Sequence, residues 1–125
     1  MAKTLDQQRA AFAWTCASIG MNASSSKEYK ALAKGAPALI MASGLMPTLA
    51  FWNGKRQEAH HTLLDQVTRW LAERVWSQHL AVGQGMQTFT PFMEGLASAD
   101  SQTYLRATDE ALEILKWIRQ FVDAV

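Results

Sequence analysis

Glu58, His61 and Asp65 are spaced three and four residues apart. On an α-helix that spacing puts two carboxylates and an imidazole on one face, a donor set that can hold a divalent cation. Helical metal sites more often use a pair of histidines at i and i+4. His60 and His61 are adjacent, so they project about 100° apart and cannot share an ion. A solvated polar face explains the trio at least as well. No H-E-x-x-H, no G-x-S-x-G and no phosphate-cradling glycine loop occurs, and Gly83 and Gly85 follow no strand pattern. Cys16 is the single cysteine, so it can form neither an internal disulfide nor a cysteine zinc site. The sequence therefore predicts no catalytic residues, no bound metal and no cofactor.

The positive charges are more informative. Lys27, Lys30 and Lys34 fall along one side of a helical segment in which none has an acid three or four residues away. Such a row lacks the usual stabilising i, i+4 pair, and a solvated face or a track for phosphates would both account for it. Lys55 and Arg56 read as the first turn of a helix, where the dipole disfavours a cation by roughly 0.3–1 kcal/mol. A residue set against local preference points to an external anion or partner. Arg9 and Lys3 flank the first helix and could extend either patch. Aromatic residues do not alternate with the basic ones, so a nucleic-acid partner would be held by its backbone.

These side chains need elements to carry them, and the pattern is helical throughout. From Asp100 to Val125 one face is set by Tyr104, Thr108, Ala111, Leu115, Ile118, Val122 and Val125, widened by Leu105, Leu112, Ile114, Trp117 and Phe121. Asp100 or Ser101 caps its start. A rod of that length spans roughly 30 Å, and its apolar breadth requires other helices around it. A first helix is predicted over 4–19, with a Thr4/Gln7 capping box, one apolar face at Leu5, Phe12, Cys16 and Ile19, and a second at Ala10, Trp14, Ala17 and Met21. Gly20 to Ser26 reads as a polar break, and Ser25 with Glu28 marks the next start. That second helix should be kinked or split at Gly35 and Pro37 and end at Gly44. Leu45 to Asn53 forms a short helix with Leu49, Phe51 and Trp52 buried, and Asn53-Gly54 turns the chain. A fourth helix covers 55–77, with Leu63, Leu64, Val67, Trp70, Leu71 and Val75 inside. His79 to Thr90 is the longest predicted loop. Thr90-Pro91 opens a short helix to about Ala97, with Glu94 in its first turns. Asp109, Glu110 and Glu113 fall on or near the outer side of the last helix, offsetting Arg106.

The chain has 125 residues, 49% apolar and 18% charged, with a net charge of +1. It should form one domain, residues 1–125, as a compact all-α bundle of about five to six helices with a long C-terminal helix. A charge near neutrality argues against strong nucleic-acid binding by the isolated chain. The N-terminus lacks an apolar signal core and the longest apolar run, 36–42, is too short to cross a bilayer, which predicts a cytoplasmic protein with no membrane contact.

Three segments carry a resemblance: LDQQRAAFAW (5–14), KEYKALAKGAPALIMASGLMPTLAFW (27–52) and TYLRATDEALEILKWIRQFVDAV (103–125). In order, spacing and length the chain resembles the small helical subunit of type III-B, Cmr-type CRISPR effector complexes. It departs from the usual pattern of that family at Ser43-Gly44 and at Met46-Pro47. The resemblance implies a non-catalytic subunit in antiviral defence, stacked with other copies of itself along a filament of backbone subunits and meeting the large polymerase-like subunit. It implies contact with paired guide RNA and target RNA, for which Lys27, Lys30, Lys34, Lys55, Arg56 and Arg9 are the candidates. The alternative is a generic helical protein–protein adaptor without RNA contact.

Overall fold

The computed structural model describes residues 2–77 and 85–125, with the side chains of 85–87 left aside. Among these residues it is all-α, with six helices and no strand: α1 (Leu5–Asn22), α2 (Ser26–Ser43), α3 (Leu45–Lys55), α4 (Glu58–Trp76), α5 (Gly85–Ser98) and α6 (Ser101–Phe121). The long C-terminal helix is the hub, packed against α1, α2 and α4. Asp100 caps it, its Oδ1 accepting the Thr103 amide at 2.8 Å. Ala107, Ala111, Ile114, Leu115, Ile118 and Val122 form its buried face. Leu105 and Val125, predicted to belong to that surface, are instead 62% and 42% exposed.

α1 begins as its sequence dictates. Thr4 Oγ1 accepts the Gln7 amide at 3.1 Å, and Gln7 Oε1 accepts the Thr4 amide at 2.8 Å. It then runs three residues further than its pattern suggests, through Gly20. The buried seam is Ala13, Cys16, Ala17 and Gly20, all small, while Trp14 and Ile19 remain about half exposed. Small side chains let α2 approach closely, and the fully buried Tyr29 ring lies directly on Gly20. The Tyr29 hydroxyl donates to Gln66 Oε1 at 2.6 Å, and Gln66 Nε2 donates to the Cys16 carbonyl at 3.1 Å. One buried polar network thus joins α1, α2 and α4, with its groups paired as burial requires.

α2 is continuous through Pro37 and so is not split there. Pro37 has no amide to give the Ala33 carbonyl. The next carbonyl, of Lys34, accepts a bond from Arg119 Nη1 at 3.0 Å. Burial of Tyr29, Ala33, Ala36 and Ile40 on the same helix outweighs the local cost of roughly 3 kcal/mol. Ser25 precedes α2, but its hydroxyl does not cap it; with backbone angles outside the usual extended cap geometry, it donates to Glu58 Oε1 at 2.7 Å. Gly44 ends α2 as predicted, at a φ of 93° that other residues avoid.

Two boundaries move. Asn53 and Gly54 are helical, and the chain reverses instead at Arg56, in the left-handed region with φ 53° and ψ 34°. Lys55 therefore closes α3 and does not open α4, which starts at Glu58. Phe51, expected inside, is 52% exposed, whereas Leu49 and Trp52 are fully buried. Residues 85–90, placed by sequence in a loop, belong to α5; residues 79–84 of that predicted loop lie outside the described residues. Pro91 and Glu94 accordingly sit within α5 and not in its first turn. Leu96, with Phe89, Phe92 and Met93 beside it, docks α5 on the core, and that burial extends the helix beyond the predicted proline start.

Candidate nucleic-acid interface

The lysine row of α2 is real as a row. Lys27 is exposed, and Lys30 and Lys34 each keep 41% of their side chain in solvent. The two inner lysines are not unpaired, however. Lys30 Nζ lies 3.0 Å from Asp123 Oδ1 and Lys34 Nζ lies 2.8 Å from Asp123 Oδ2. The partner comes from the segment after α6, so no reading of α2 alone could find it. Lys34, then Lys30, hold the Asp123 carboxyl below its ordinary range. Arg119 joins the strip from α6 through its bond to the Lys34 carbonyl.

Lys55 and Arg56 occupy the α3–α4 junction. The hydroxyl–carboxylate bond from Ser25 to Glu58 ties that junction to the end of the bundle where α2 begins. Lys55 Nζ stands 4.9 Å from the centre of the exposed Phe51 ring, a cation–π contact. Because Lys55 ends a helix, the dipole favours its charge, and Lys55 does not sit against local preference as the sequence suggested. Beside it, burial first, then Lys55 and His61, lower the pKa of His60.

Arg9 belongs to the interior. Its Nε and Nη2 grip the two oxygens of Glu110 at 2.9 and 2.8 Å, Trp70 Nε1 donates to the same carboxylate at 2.9 Å, and both charged side chains are only 13–14% exposed. Arg9 Nη1 also reaches Asp6 at 3.0 Å. The Glu110 bond holds the guanidinium firmly protonated, and Arg9 lowers the pKa of Glu110. Glu110 is thus not on the outer side of α6, and it does not offset Arg106, which donates to the Arg74 carbonyl at 3.0 Å. Glu113 pairs with Lys116 at 3.2 Å.

The acidic trio disperses. Glu58 accepts from Ser25, His61 Nε2 lies 3.2 Å from the Asn53 carbonyl, and Asp65 pairs with Arg69 at 3.5 Å. Among the described residues no group of three His, Cys, Asp or Glu side chains could hold a metal ion, and no helix is long and apolar enough to cross a membrane. Cys16 is a buried filler, 2% exposed, and burial pushes its thiol up to about 12. Alkylation at about pH 8 should therefore be slow in the native protein and accelerate sharply in denaturant. Rapid native labelling, followed by mass spectrometry, would contradict the buried seam.

What sequence reasoning missed is Arg119 and Asp123. Asp123 did leave a signal: a carboxylate just past a helix C-terminus is disfavoured by the dipole and needs a cation nearby.

The arrangement places cationic groups on an all-helical scaffold, and comparisons with known proteins agree with the scaffold. Residues 5–125 match the family model described as CRISPR-associated protein (Cas_Cmr5). The chain is 29% identical over 98 residues to "CRISPR system Cmr subunit Cmr5" of Thermus thermophilus, covering 78% of this chain and 75% of that relative. It also superposes on the crystal structure of a CRISPR-associated Cmr5 family protein from the same organism, with a TM-score of 0.76 and 26% identity, covering 98% of this chain and 97% of the other.

Proposed function

This chain belongs to the CRISPR-associated Cmr5 family, and we propose from that membership that it is a non-catalytic small subunit of a type III-B CRISPR ribonucleoprotein. In this reading it stacks with other copies of itself along the backbone subunits, meets the large polymerase-like subunit, and helps hold guide RNA paired with target RNA, in the cytoplasm. Support for the assembly comes from the match across 5–125 and from the relative whose name describes a Cmr subunit. The exposed Trp14, Ile19, Met41, Phe51 and Leu105 add apolar surface suited to protein neighbours.

The observation that carries the RNA contact is the strip of Lys27, Lys30, Lys34 and Arg119 across α2 and α6. A surface that accepts any guide must read duplex shape and phosphate and not base edges, which is what a short cationic row can do. Lys55 and Arg56 supply further charge near the start of α2, whereas Arg9 is already committed to Glu110.

The test is the triple variant Lys27→Gln, Lys30→Gln and Lys34→Gln, assembled with the other subunits and guide. Helicity by circular dichroism stays unchanged. Target capture near physiological salt weakens about tenfold, and the slope of log affinity against log salt becomes shallower by about two. Unchanged capture and slope, with no RNA crosslink to this subunit, would instead favour a protein-only adaptor.

A further inference from the structure

We infer that Asp123 occupies a phosphate seat between Lys30 and Lys34 and is displaced when RNA binds, which makes it the residue that sets how strongly this surface competes for RNA. The inference rests on the reading of α2 as an RNA-facing strip and deepens it. Each oxygen of the Asp123 carboxylate takes one ammonium group, at 3.0 and 2.8 Å. Two non-bridging oxygens of a phosphodiester would be held by the same pair in the same way. The occupant can leave. Asp123 is 52% exposed and lies beyond the last helical residue, Phe121. Its backbone does not need to move with it, because Val122 is buried and the amides of Ala124 and Val125 both bond the Phe121 carbonyl at 3.0 Å. Nor does the helix end favour a negative charge there, since the dipole opposes it.

The groups around the seat give the competition its selectivity. Lys27 flanks it along α2, and Arg119 approaches from α6. Lys116 is drawn away to Glu113. A single free phosphate must displace a carboxylate that is tethered at high effective concentration. An extended backbone gains contacts at Lys27 and Arg119 in the same event, so it displaces Asp123 where a lone anion does not.

The experiment compares complexes assembled with wild-type subunit, Asp123→Asn, Lys30→Gln/Lys34→Gln, and the combined triple variant. Each is titrated with a labelled target RNA that pairs with only part of the guide, from about 50 to about 200 mM salt. Asp123→Asn should tighten capture about three- to tenfold and steepen the salt slope by about one, the weight of one more effective phosphate contact. Asp123→Ala should do the same. In the Lys30→Gln/Lys34→Gln background, changing Asp123 should alter nothing. Unchanged or weaker capture with both Asp123 variants overturns the inference, as does tightening that persists without the two lysines, which would mean a general charge effect. If Lys30→Gln/Lys34→Gln alone leaves capture and slope untouched, the RNA-facing reading itself has failed, and the seat with it.

Discussion

Gly20→Ala should lower the stability of the folded chain by about 3 kcal/mol and its melting temperature by roughly 10 °C, measured by urea and thermal denaturation. The effect is unusual for so small a change, because alanine is intrinsically the better helix residue by about 1 kcal/mol. Tertiary packing reverses the sign. A Cβ at position 20 would overlap the Tyr29 ring at several atoms. The ring is fully buried, so it has no open side to move into. Shifting it would also break the hydroxyl bond to Gln66 and disturb the bond from Gln66 to the Cys16 carbonyl. The decisive control is the Tyr29→Ala background. There the overlap is gone, and Gly20→Ala should be neutral or mildly stabilising. An equal loss in both backgrounds would mean that the ring does not lie against Gly20.

Arg9→Met should cost about 2–3 kcal/mol, although it replaces a charge with an apolar side chain of similar length. Breaking a buried ion pair from one side typically costs about 3–5 kcal/mol, discounted here because the pair retains some solvent contact. What is lost is not mainly attraction. Glu110 stays behind among Trp70 and the α1–α4–α6 packing with one tryptophan N–H as its remaining donor. The pH dependence follows in sign. Arg9 depresses the Glu110 pKa in the folded state. The stability Glu110 contributes is therefore complete above its unfolded pKa of about 4.3 and is lost as pH falls through the lower folded value. The gap between wild type and Arg9→Met should be widest near neutral pH and narrow below about pH 4, where the carboxyl protonates and no longer needs a cation. A gap independent of pH would place the cost in lost packing of the arginine stem.

These two sites also show what a linear reading can reach. The Thr4/Gln7 capping box, Asp100 before α6, Gly44 after α2 and the inner face of α4 are all legible, because each depends on residues within a turn or two of one another. The same locality explains the misses. Lys55 and Arg56 violate the dipole rule only when the start of α4 is drawn ahead of Glu58, and moving that boundary converts an unfavourable position for Lys55 into a favourable one. Phe51 and Leu105 sit on apolar faces by period but stay more than half exposed, and Trp14, met edge-on by the Phe121 ring 5.1 Å away, stays 47% exposed.

By itself the sequence determined the helices, the caps at Thr4, Asp100 and Gly44 and the buried sides of α2, α4 and α6, and its three characteristic segments pointed to the right family. Those properties follow from the 3.6-residue period and from backbone groups that must be satisfied locally. Only the tertiary structure decided which charges remain available. Arg9 meets Glu110 across 101 positions, and Lys30 and Lys34 meet Asp123 across 93 and 89 (123 − 30 and 123 − 34). Helical periodicity gives the direction in which a side chain leaves its own axis. What it meets there depends on how the helices cross, and that is settled by the packing of the whole core around α6.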